Sequence, residues 1–184
     1  MKSLRASLLA HLACSAVVGQ SYTISTVAGG GLPGDTPGAY ASLFNPMAVA
    51  VDKAGNVFFA DGENAVMRMD ATTTLVTVVA GNGAAGSSGD NGLATAAQIN
   101  SSIGIGLDSS GNLYLTDSNT IRRVSNGVIT RVAGTNGEFY LPRTVAIDSA
   151  GILYIVDSGH NRVVKISNGR TKHGSGQRCR GFQR

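Results

Sequence analysis

Apolar residues in this chain fall into short runs that end on aspartate, and the runs come in pairs. They read MAVAVDKAGNVFFAD over Met47–Asp61, IGIGLDSSGNLYLTD over Ile103–Asp117 and RTVAIDSAGILYIVD over Arg143–Asp157. Within the first run of each pair, small and large residues alternate: Ala48, Val49, Ala50, Val51, then Gly104, Ile105, Gly106, Leu107, then Thr144, Val145, Ala146, Ile147. A period of two is that of a β-strand, and it places the small residues on one face. Repetition on this scale marks supersecondary units that must stack on their neighbours to bury their faces.

The first unit resolves into four strands. Met47–Val51 is followed by a tight turn at Lys53–Asn56 and a second strand at Val57–Ala60; Ala65–Met69 and Leu75–Ala80 supply the third and fourth. Short β-rich runs broken by Gly, Asn and Asp are the hairpin signal, with Asp at a turn start accepting backbone N–H groups. The second unit repeats the plan with Ile103–Leu107, Leu113–Thr116, Thr120–Val124 and Val128–Ala133. Four antiparallel strands in about 40–50 residues make a propeller blade. The fold expected is therefore all-β: a partial β-propeller of about three four-stranded blades, the third incomplete.

Both ends of the repeat region carry unfinished business. Val79, Ala80 and Gly81 match Val132, Ala133 and Gly134, and the triplet occurs earlier as Val27, Ala28 and Gly29 with no blade before it. Tyr22–Ala28 is thus expected as an orphan fourth strand. After Gly169 the pattern requires another run like Val128–Ala133, but the chain gives the basic stretch Arg170–Arg184 without β periodicity. Propellers close with about four to eight blades, so the open edges need a cover; one arrangement is a head-to-tail homodimer in which two chains supply six blades.

Composition fits many turns: among 184 residues, 25 are glycine, 42% are hydrophobic and only 14% are charged. Lys2 and Arg5 precede an apolar stretch, Ala6–Val18, and small residues follow. That is a secretory-signal pattern, with cleavage expected after Ala16 or Gly19. Localisation is accordingly expected to be secreted or periplasmic, with lipid anchoring through Cys14 as the alternative. The expected division is residues 1–19 as signal, 20–169 as propeller blades and 170–184 as a basic disordered tail. No other segment approaches the roughly 20 apolar residues that span a bilayer.

The formal net charge of +4 comes from the ends. Between Ser21 and Gly169 eight Lys or Arg meet all eleven acids, a net −3. The repeat region is mildly acidic, which argues against nucleic acid as a partner. Cys14 and Cys179 lie in the two ends, so the core is expected to hold no disulfide.

In the third unit, Asp157, Ser158, Gly159, His160, Asn161, Arg162 and Val163 resemble the signature of the NHL-repeat family. Ala80–Asp108, with Gly89–Gly92 before Ala94–Asn100, is similar to the connector of bacterial exported NHL proteins. The resemblance spans about Tyr22–Gly169 and implies part of a propeller that is commonly six-bladed. Ala65 and Thr120 stand where the third unit has Arg162, so an Asp–Arg contact is expected in that unit alone. Arg68, Arg123 and Lys165 share a position on the third strand and are expected to face solvent.

Candidate chemistry is sparse. Gly81–Gly86 spells a dinucleotide-binding pattern, but that motif needs a helix starting at the glycines, and Ser87–Gly92 continues as a breaker-rich loop. Asp52, Asp108 and Asp148, with Asp61, Asp117 and Asp157, could supply oxygens to calcium; their recurrence at turns favours backbone capping. His160 is the single histidine of the repeat region, too few for a multi-histidine zinc site. Asn100–Ser102 forms a glycosylation sequon. No catalytic, cofactor-binding or metal-binding residue is assigned, and no cofactor is expected. The function expected is a binding or interaction scaffold without catalysis of its own, meeting a protein or small-molecule ligand through the long loops Gly30–Asn45 and Asn82–Asn100. The alternative is a fragment of a lactonase-like hydrolase or of a lyase of the peptide-amidating type, which the resemblance also implies.

Overall fold

A computed structural model describes residues 43–100, 104–167 and 170–172, with the isolated Ser25; for 170–172 only the backbone is described. The expected orphan strand Tyr22–Ala28, the signal, the loop Gly30–Asn45 up to residue 42, both cysteines and residues 173–184 lie outside this set. Among the described residues no helix is long and apolar enough to cross a membrane.

Three antiparallel four-stranded sheets account for the described strands, each laid out in chain order. Blade 1 comprises β1 (Ala48–Val51), β2 (Val57–Asp61), β3 (Ala65–Met69) and β4 (Val76–Ala80). Blade 2 comprises β5 (Ile105–Leu107), β6 (Leu113–Asp117), β7 (Thr120–Ser125) and β8 (Val128–Ala133). Blade 3 comprises β9 (Pro142–Ile147), β10 (Leu153–Asp157), β11 (Arg162–Ser167) and β12 (Arg170–Lys172). This is the partial propeller that the repeats imply.

β12 corrects the expectation that the chain leaves the fold at residue 169. It pairs with β11 through Ser167↔Arg170, Ile166↔Thr171 and Lys165↔Lys172. An outer strand needs only its backbone N–H and C=O groups to join an edge, so its lack of apolar alternation does not prevent pairing. The described part of this outer strand has three residues, against five in β4 and six in β8.

The first turn of each blade is built on its aspartate. Asp52 Oδ1 accepts the N–H groups of Ala54 and Asn56, Asp108 Oδ1 those of Ser110 and Asn112, and Asp148 Oδ1 those of Ala150 and Ile152, each at 2.9 Å. Capping, the role that turn position favours, is therefore what these carboxylates do. At the other end of the blade, Asn126 and Gly127 both take positive φ, 50° and 75°, the backbone of a two-residue hairpin whose twist matches its strands.

Blades stack face to face. One core cluster, including Ala60, Val66, Ile99, Ile105, Leu115 and Ile129, seals blade 1 to blade 2. A second, including Tyr114, Ile121, Phe139, Val145, Ile155 and Val164, seals blade 2 to blade 3. The small residues of the first strands make this approach close enough. A Cβ on Gly104 would lie 2.3 Å from the Arg143 carbonyl oxygen, and one on Gly106 would lie 2.8 Å from that of Val145. Gly104→Ala should therefore destabilise the fold by about 1–3 kcal/mol, the range for overpacking, as read from the urea midpoint; an unchanged midpoint would show that β5 does not rest on β9.

Candidate functional site

The second strand of each blade ends on an aspartate that is fully buried: Asp61, Asp117 and Asp157. Each Oδ1 accepts one backbone N–H from the connector leading into its own blade, from Phe44, Asn100 and Tyr140 respectively, at 2.8 Å in every case. The three sites share this geometry and then diverge in what the second carboxylate oxygen meets.

In blade 2 it meets Arg122, whose side chain is itself fully buried, with Nη1 2.9 Å from Asp117 Oδ2. The same guanidinium donates to the carbonyls of Gln98 at 2.7 Å and Ser88 at 3.1 Å, and pairs with Asp90 at 2.9 Å. Asp90 also pairs with Arg131 at 3.2 Å. One arginine thereby fastens the connector Asn82–Asn100 to the blade. This contact corrects the expectation that only the third unit would form an Asp–Arg pair. Arg122 lies two residues beyond Thr120, on the same face of β7, and its longer reach covers that offset.

In blade 3, Asp157 Oδ2 lies 2.8 Å from both Arg162 Nε and His160 Nδ1. Arg162 also donates to the Glu138 carbonyl of the incoming connector, and His160 packs against Tyr140 with ring centroids 6.0 Å apart. In blade 1 neither position carries a cation, and the buried Asp61 Oδ2 has no hydrogen-bond partner. These environments set the ionisation. Burial pushes Asp61 above its ordinary value, with the nearby Glu63 charge acting in the same direction. Burial also raises Asp117, against the Asn100 N–H and Arg122. For Asp157, burial is outweighed by the Tyr140 N–H, His160 and Arg162, and the carboxyl falls below its ordinary value.

Residues 139–166 match the family model for the NHL repeat. That segment, which holds Asp157, His160 and Arg162, is thus similar to an NHL repeat. Several solved structures share its architecture. Virginiamycin B lyase from Staphylococcus aureus is 15% identical with a TM-score of 0.51, over 69% of this chain and 40% of the lyase. A catalytically inactive variant of that lyase, with quinupristin, is 18% identical at a TM-score of 0.52, over 77% of this chain and 42% of its own. An auxiliary nutrient binding protein from Bacteroides thetaiotaomicron is 18% identical at a TM-score of 0.54, over 65% and 36%. The chain thus spans about two fifths of the length of these proteins. No curated protein matches the sequence.

The lyase corrects the expectation of a chain without catalysis: the architecture found here also serves an enzyme, so a sparse set of catalytic motifs is no argument against activity. The remaining sequence candidates are placed as follows. Gly81–Gly86 leads into no α-helix, only the three-residue 3₁₀ turn Ala94–Ala96. Among the described residues no three His, Cys, Asp or Glu side chains come together as a metal site. Of the three third-strand cations only Lys165 is exposed, 5.7 Å from the Tyr154 ring; Arg68, paired with Asp70 at 2.8 Å, and Arg123, its Nε sealed from water, are half-buried rather than solvent-facing.

Replacing Arg122 by methionine leaves Asp117 buried and uncompensated and should cost about 3–5 kcal/mol. Adding Asp117→Asn should recover a substantial part, and the double-mutant cycle in urea reads the coupling. Strictly additive losses would mean that the pair does not act as a unit.

Proposed function

We propose that this chain is a segment of a propeller ring whose connector side binds a ligand, a small molecule or an extended peptide. The observation that carries the reading is the connector Asn82–Asn100. It contains no strand, yet the buried Arg122 and its partners Asp90, Ser88 and Gln98 hold it in one conformation. Leu93 stands on it 67% exposed. Loops held by a rigid scaffold are where recognition concentrates, and the likeness to a nutrient binding protein supports that use of the fold.

The ring itself needs further blades, and the end faces favour a head-to-tail second copy. Val163 is 65% exposed, whereas the equivalent Val66 of blade 1 and Ile121 of blade 2 are fully buried against the blade that follows. Val49 at the opposite end is 66% exposed against 6% for Ile105 and 2% for Val145. The two faces are thus the two halves of one missing blade-to-blade joint. Residues 1–19 as an export signal, with release outside the cytoplasm, complete the proposal.

A second reading is a lyase of the kind represented by the Staphylococcus protein. It draws on the His160–Asp157 pair, in which a buried carboxylate orients an imidazole that keeps 43% of its surface, the arrangement of a general base.

One series of samples tests these readings. Sedimentation velocity should show a two-chain particle that Val163→Glu reduces to a single chain. Amide resonances followed during titration with short peptides, sugars and quinupristin should shift on Asn82–Asn100. Shifts scattered over the strands, or none, would contradict the binding reading. Chemical conversion of quinupristin that disappears in His160→Ala would establish the second.

A further inference from the structure

Blades 1 and 2 meet in a joint that this chain completes by itself, and the joint is not fully packed. A cavity of about 330 Å³ lies in it, walled by Phe58 and Val79 of blade 1 and by Leu113 and Val124 of blade 2, with Thr95 and Asn126 at its rim. Leu113 and Val124 belong to the buried core, so the floor is apolar.

The joint between blades 2 and 3 shows what occupies the matching positions elsewhere. There Tyr114, Val132, Leu153 and Ile166 pack in one core cluster. The correspondence follows from strand position. Phe58 and Tyr114 each stand three residues before the buried aspartate, Val79 and Val132 each precede the alanine that ends the fourth strand, and Val124 pairs with Leu113 as Ile166 pairs with Leu153. Phenylalanine for tyrosine and valine for isoleucine take a hydroxyl and a methylene out of the first joint. The connector then fixes the opening. Ala94 bridges the two blades, donating its N–H to the Gly127 carbonyl at 2.8 Å and accepting that of Gly81 at 2.9 Å, and Thr95 follows it in the same 3₁₀ turn. A concave, largely apolar site with a few placed polar groups is the form that small-molecule pockets take.

The lining also selects the guest. None of the residues around the cavity carries a charge, so an ion entering it would lose its hydration without compensation. At the rim the Asn126 amide and the Thr95 hydroxyl are exposed, and neither bonds to another group among the described residues. A carboxamide presents an acceptor and a donor side by side, which complements a cis-amide edge, where C=O and N–H point the same way. We propose that this joint binds a small neutral molecule with a flat apolar ring and a cis-amide edge, a lactam or a compound of that class. The ring lies between Phe58 and Leu113, and the amide edge pairs with Asn126. The site goes beyond the connector reading, because its walls belong to the blades and Thr95 alone comes from Asn82–Asn100. It needs no further blade.

The test uses the full chain and three probes on one carbon frame: isoindolinone, N-methylisoindolinone and the anion 2-methylbenzoate. Calorimetry gives affinity, and amide resonances give the place. Isoindolinone is expected to bind saturably and to shift Gly111, Leu113, Asn126 and Gly127; methylation of its nitrogen should weaken binding several-fold, and the anion should give no response. Phe58→Tyr combined with Val124→Ile copies the second joint and should abolish binding. Asn126→Asp keeps a hairpin-forming Asp-Gly pair and should remove the preference for isoindolinone over its N-methyl form. This second variant leaves the core untouched, so its result does not depend on how the first one folds. No saturable response, equal affinity for the lactam and either comparison probe, or binding unaltered in both variants would overturn the proposal. Shifts confined to Asn82–Gly92 would overturn it as well, while leaving the connector reading in place.

Discussion

Every blade hangs from one hydrogen bond: a carboxylate oxygen, sealed from water at the end of the second strand, accepts the backbone N–H of the connector that enters that blade. The bond recurs at 2.8 Å for Asp61, Asp117 and Asp157. Its importance follows from where the connector runs. An irregular segment crossing the edge of a packed sheet carries backbone donors that burial would orphan, and a carboxylate is the acceptor best able to hold them. The cost is a charge removed from water, which arginine offsets in two of the three blades. The course of each connector over its blade depends on that anchor.

The same device explains why the three units are not interchangeable. Blade 2 draws its guanidinium from Arg122 and spends the remaining donors on Ser88, Gln98 and Asp90, which orders a long connector. Blade 3 draws it from Arg162, adds His160, and needs only a short approach through Glu138 and Tyr140. Blade 1 keeps the carboxylate and drops both arginines. The repeats thus preserve the anchor while varying its counter-charge.

Much of this plan was legible in the residues. Alternating small and large positions gave the strands, and the paired aspartates gave turn caps, because these signals are local and act through the backbone. Two features were not legible by the same means. Comparing Arg162 with Thr120 position for position missed Arg122, since a long side chain two residues along the strand projects from the same face and reaches the same carboxylate. The strand Arg170–Lys172 was missed because an edge strand is held by backbone pairing and needs no apolar pattern; the Asn168–Gly169 dipeptide, identical to Asn126–Gly127, was the available clue. Whether the chain takes part in catalysis was beyond the same reasoning, because a propeller's site is assembled from loops of the whole ring, and this chain spans about two fifths of its structural neighbours.

The anchoring bond is most directly tested by native-state hydrogen exchange of the Asn100 and Tyr140 amides. Both sit in connectors outside any strand, where exchange is ordinarily fast. If the buried carboxylates hold the blades together, these two amides exchange as slowly as those of β6 and β10, opening only with the sheets to which they are tied. Exchange at the rate of exposed loop amides, while the strands stay protected, would contradict the account.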